Sequence, residues 1–125
     1  MSYLWVALGS ALGGMARYGC TGAAARLLGA SFPWGTLIVN VSGSLLIGFL
    51  AALAAPDGRA LVQGDARAFL VIGILGGFTT FSSFSFDTLR LAHDGEWLWA
   101  AGNVLGSVLL CLAAVSLGYW AASRL

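Results

Sequence analysis

Residues 76–88 read GGFTTFSSFSFDT. A glycine pair is followed by four phenylalanines interleaved with threonine and serine, in a chain that is otherwise almost wholly apolar. Paired glycines weaken a helix, and the β-branched Thr79 and Thr80 weaken it further. The stretch therefore reads as a helix break over Gly76 to Thr79. The alternative is an unbroken, glycine-rich helix that packs closely on its neighbours. If the break lies at membrane depth, it is tolerable only inside protein or beside water. It would then free backbone carbonyls able to coordinate a small cation. No carboxylate accompanies GGFTT, so such a cage would be neutral and would suit a monovalent ion better than calcium or magnesium.

Membrane depth is what the composition implies. Of 125 residues, 59% are hydrophobic and only 9% charged, and the mean hydropathy is +0.90. Soluble domains carry about 25% charged residues. Four stretches, about 3–28, 33–55, 67–92 and 97–122, are long and apolar enough to approach the roughly 20 residues of a membrane-spanning helix. The expected architecture is an all-α membrane protein, a single four-helix transmembrane domain over 1–125 whose third helix is broken mid-membrane. The first helix does not read as a signal peptide, because it lacks a basic leader and Arg17 interrupts its apolar run. Pro56-Asp57-Gly58 is expected to close the second helix. Five tryptophans, at 5, 34, 97, 99 and 120, fall near helix ends, where they anchor at headgroup depth.

Eighteen glycines suggest close helix packing. Gly9/Gly13, Gly73/Gly77 and Gly102/Gly106 are pairs four residues apart. Cys20 and Cys111 lie inside apolar helices and read as reduced thiols. The basic residues are all arginine. With a cytoplasmic N-terminus, Arg59, Arg67 and Arg124 fall on one side, and Arg26 and Arg90 on the other. The K/R bias that normally sets orientation is nearly absent. Insertion both ways is expected, and with it an antiparallel, dual-topology homodimer whose two-fold axis lies in the membrane plane.

A few polar residues interrupt the apolar runs. A mid-helix arginine such as Arg17 costs about 2.5–3.5 kcal/mol to insert. It either snorkels to an interface or faces a wet cavity that attracts anions. Thr36, Asn40 and Ser44 form a stripe one turn apart, and Asn103 and Ser107 form a similar pair. Intramembrane Asn either fastens helices or offers N–H donors to an ion. Phe81 and Phe84, with Ser82 and Ser83 between them, present ring edges of positive quadrupole and hydroxyls that could cradle a small anion. The plainer reading is packed phenylalanines with serines bonded back to their own helix.

These motifs together, GGMARYG (13–19), GTLIVNVSGSLLIGF (35–49) and GGFTTFSSFSFDT (76–88), resemble the small bacterial fluoride channels of the Fluc (CrcB) family over nearly the whole chain. The resemblance implies passive, fluoride-selective export through two pores of an antiparallel homodimer in the bacterial inner membrane. On that resemblance the pore phenylalanines fall on Phe81 and Phe84, the pore asparagine on Asn40, and the vestibule arginine on Arg17. A hydroxyl track falls on Thr36, Ser82, Ser83 and Ser107. It also implies a structural, non-transported Na+ at the dimer interface, held by backbone carbonyls of Gly76 and Thr79. Fluoride, the lipid bilayer and a second copy are the expected partners, and no nucleic acid is among them.

The rival is a small dual-topology multidrug/proton antiporter, which needs an intramembrane carboxylate. Asp87 is the only acid in an expected span, and it reads as a partner for Arg90 three residues on. No enzyme is expected: the single histidine, His93, lies in a turn, with no nucleophile and base beside it.

Overall fold

The computed structural model describes residues 1–54 and 62–125, and the regular structure among them is all helix. Helix α1 is Ser2–Leu28 and α2 is Trp34–Leu53. Helix α3 covers 64–78, α4 is Phe81–His93 and α5 is Trp97–Ser123. Three units are long and apolar enough to cross a bilayer: Trp34–Leu53, the bent Gly64–His93 and Trp97–Ser123. Helix α1 has 27 residues, about 40 Å at 1.5 Å per residue. It is less apolar than the other three. Pro56-Asp57-Gly58 and Arg59 lie outside the described residues.

The bend falls at the C-terminal end of the expected stretch, and the glycines within that stretch stay helical. Gly76–Phe78 is helical, and the chain leaves the helix at Thr79 (φ −83°, ψ 156°) and Thr80 (φ −154°, ψ 116°). The glycine pair is therefore not the break. Upstream of it, Ala68–Leu75 is wound as a π-helix, an uncommon winding.

The glycines instead set how closely the helices meet. A Cβ on Gly13 would overlap the Ile74 carbonyl oxygen, and one on Gly77 would come within 2.6 Å of the Ser10 carbonyl oxygen. Gly9 and Gly73 face each other in the same way. So α1 and α3 touch backbone to backbone, as the two spaced pairs suggest. Gly102 and Gly106 make no such contact: a Cβ on either meets nothing within 4 Å. The α2–α5 contact uses Gly48 and Gly118, whose Cβ atoms would overlap the carbonyls of Val115 and Leu45. One glycine on each helix suffices there, so no spaced pair marks it.

At one end, Phe32 is buried between Trp34 and Trp99, with ring centroids 4.7 and 5.5 Å away. Trp5 stacks edge-on against Phe69 at 5.9 Å. These tryptophans pack as well as stand near helix ends. Gly13→Ala should lower the unfolding temperature in detergent, since inserting a methyl against fixed backbone costs about 1–3 kcal/mol. Gly19→Ala, where a Cβ meets nothing within 4 Å, should leave that temperature unchanged or raise it.

Candidate functional site

The break between α3 and α4 is held by the side chain of one residue. Asn40 Nδ2 donates to the Thr80 carbonyl oxygen at 3.0 Å, and the Thr80 N–H donates to Asn40 Oδ1 at 2.7 Å. The amide of Asn40 thus pairs with both backbone groups of Thr80 as a neighbouring strand would. An unpaired buried backbone group costs about 1–3 kcal/mol, so this one side chain offsets much of what breaking the helix costs. The fit also depends on Gly43, one turn on from Asn40, where any Cβ would overlap the Thr79 methyl.

Thr80 also starts the next helix. Its Oγ1 accepts from the Ser83 N–H at 3.1 Å, an N-cap. The same hydroxyl donates to Ser83 Oγ at 3.1 Å and lies 3.2 Å from Ser82 Oγ. With its single proton spent on Ser83, Thr80 accepts the proton of Ser82. Thr79 turns back, its hydroxyl donating to the Leu75 carbonyl at 2.9 Å.

The break releases the last carbonyls at the C-terminal end of α3, and these bonds account for two of them. In a continuous helix the Thr80 N–H would donate to Gly76 and the Ser83 N–H to Thr79. Here both amides are taken, by Asn40 and by Thr80 Oγ1. The carbonyls of Gly76 and Thr79 are left without those helical donors, and Gly76 is exposed at the surface of the subunit.

Among the described residues, three cavities near the break share lining residues. The largest, about 430 Å³, is bounded by Asn40, Ser44, Phe81, Phe84, Ser107 and Cys111 among others. The second, about 300 Å³, holds Arg17, Thr36 and Ser83. Thr80 lines both. The third, about 190 Å³, shares Thr21 and Thr36 with the second and contains Asp87 and Arg90. Of the residues singled out in the sequence, the structure brings Asn40, Phe81, Phe84 and Ser107 to the first cavity and Arg17, Thr36 and Ser83 to the second. Ser82 lines neither and reaches them only through Thr80. The rings of Phe81 and Phe84 sit 5.4 Å apart at 49°, and Phe81 is 79% exposed on the subunit.

Thr36 donates its proton to Asp87 Oδ2 at 2.8 Å, and Arg90 stands 3.7 Å from Oδ1 of the same carboxylate. Asp87 therefore has two partners, where the sequence suggested Arg90 alone. Two further residues carry the site and were not singled out. Thr80 is hard to tell from its neighbours in TTFSS by residue type. Thr88 binds Asn103 on α5 through a contact 15 residues away in sequence. The i, i+3 spacing of Thr80 and Ser83 is the N-cap signal that could have found Thr80.

A bundle of long apolar helices with a break beside cavities lined by Asn, Ser and Arg defines a multi-pass membrane protein. The chain belongs to the CrcB family: the sequence profile described as "CrcB-like protein, Camphor Resistance (CrcB)" matches residues 4–119. It is similar to a protein of Opitutus terrae named "Fluoride-specific ion channel FluC", 58% identical over 120 residues, covering 96% of this chain and 91% of that relative. Relatives of the same name from Rhodospirillum rubrum and Methylocella silvestris are each 55% identical over 119 residues. They cover 95% of this chain and 92% and 91% of their own lengths.

Asn40→Leu removes both bonds to the Thr80 backbone. The Thr80 carbonyl keeps its helical donor, the Phe84 N–H, so the variant should be destabilised by about 1–3 kcal/mol, for the one buried N–H left unpaired. Amide hydrogen exchange at Thr80 should accelerate well beyond that of α5; equal protection in the variant would show that the break does not depend on this amide.

Proposed function

We propose that this protein is a fluoride-selective channel that lets fluoride leave the cytoplasm down its electrochemical gradient and so limits its toxicity. The observation that carries the reading is the 58% identity, across 96% of this chain, to a protein named a fluoride-specific ion channel. The chemistry of the cavities is consistent with it. Fluoride is small and strongly hydrated, so a path for it must replace water with dense, short donors. Asn40 uses one amide proton on Thr80, which leaves its second for an ion in the cavity. Ser83 accepts from Thr80, and among the described residues its own proton has no protein acceptor, in a cavity that also holds Arg17. Phe81 and Phe84 add ring edges. In this reading the anion is carried by Arg17, Thr36, Asn40, Phe81, Ser82, Ser83, Phe84 and Ser107.

The reading also makes α1 a fourth span. Its only charged residues are Arg17, which lines the second cavity, and Arg26. The functional unit is an antiparallel homodimer of subunits inserted in both orientations. A Na+ ion on its axis is structural and is not transported. The released, neutral carbonyls of Gly76 and Thr79 suit such an ion, and the exposure of Gly76 makes them reachable from a second copy. Its positive charge would join the two subunits there. Partial dehydration and passage of fluoride are left to the side chains of the cavities.

Purified protein in liposomes should release fluoride and retain chloride. Failure to release fluoride, with an organic cation exchanged against protons instead, would mark it as an antiporter. Phe81→Ile keeps the bulk and removes the ring edge, so fluoride efflux should fall at least tenfold while dimer content on size exclusion is unchanged. Replacing sodium by a large organic cation should reduce both dimer content and flux; if neither moves, no axial sodium is needed.

A further inference from the structure

Asn103 is 2% exposed, and it sits inside a chain of hydrogen bonds that ties α5 to α4. The chain has one direction. Thr88 carries a single hydroxyl proton and donates it to the Phe84 carbonyl at 2.8 Å. Its oxygen is then an acceptor, and Asn103 Nδ2 donates to it at 2.9 Å. That fixes the amide, with Oδ1 facing Ser107. Ser107 donates its only proton to this oxygen at 3.3 Å. The oxygen that Ser107 shows to the largest cavity therefore carries lone pairs, whereas an anion there needs the proton.

We infer that Asn103, locked by Thr88, is a positioning residue that holds the Ser107 proton away from the anion path until an ion outcompetes it. This rests on the reading of the cavity as a fluoride path. The link from Ser107 to Asn103 is the longest of the three and so the one that yields. When it yields, the hydroxyl rotates toward the ion and no covalent bond changes. Asn103 Oδ1 is then buried without its donor. The ion must offset that loss, which raises the fluoride concentration needed to occupy this part of the path.

Thr88→Val removes the acceptor that fixes the amide. Asn103 can then turn Nδ2 toward Ser107 and free its proton for the ion. The half-saturating fluoride concentration for efflux from liposomes should fall about three- to tenfold, the worth of one neutral hydrogen bond. Asn103→Leu should shift it in the same direction, and Thr88→Ser, which keeps the hydroxyl, should restore the parent value. Both shifts should vanish in a Ser107→Ala background. An unmoved value in Thr88→Val, or a shift that persists without the Ser107 hydroxyl, overturns the positioning role. A parent protein that conducts no fluoride overturns the channel reading itself, and the positioning role with it.

Discussion

The pairing of the Asn40 amide with the backbone of Thr80 is the constraint on which the rest of this structure depends. A chain inside a bilayer has no water to satisfy a broken helix. The bent unit Gly64–His93 can leave helical geometry for two residues because a side chain on α2 supplies one donor and one acceptor in the right place. Three consequences follow from that one contact. Thr80 becomes extended, so its hydroxyl is positioned to cap α4. The amides of Thr80 and Ser83 are diverted, so the carbonyls of Gly76 and Thr79 lose their helical donors. The apolar packing is interrupted next to Asn40, and the main cavity opens there.

Small residues make this geometry possible without taking part in it. Gly43 admits Thr79, and Gly13 and Gly77 bring α1 against α3. Arg17 reaches the second cavity from α1. The polar side chains around the break are mostly bonded to one another: Thr36 to Asp87, Ser82 to Thr80, Ser107 to Asn103. Inside a low-dielectric bundle such bonds are strong and their loss is costly. In the channel reading an arriving anion therefore competes for protons already in use. That favours a small ion of high charge density over a large one.

Much of this was legible in the residues. The all-helical class followed from the apolar runs, because length and hydropathy are local properties. The spaced pairs Gly9/Gly13 and Gly73/Gly77 marked a real contact, whereas Gly102/Gly106 had the same spacing and marked none. Spacing shows that two glycines share a face and says nothing about what that face meets. The break was legible, and it falls at the C-terminal end of the stretch the residues pointed to. Helix propensity favoured the glycines, and tertiary hydrogen bonding from Asn40, 40 residues away in sequence, placed it at Thr79 and Thr80. The same limit hid Thr88 and the second partner of Asp87, since a hydrogen bond between helices leaves no periodicity in either one.

Fluoride efflux from liposomes containing the Asn40→Asp protein bears most directly on the claim that one amide both holds the break and serves the ion. The carboxylate can still accept from the Thr80 N–H but cannot donate to its carbonyl or to an anion, and it adds a negative charge to the cavity. Efflux should fall by at least a hundredfold, with the protein still extractable and folded. Flux equal to that of the parent chain would contradict the account.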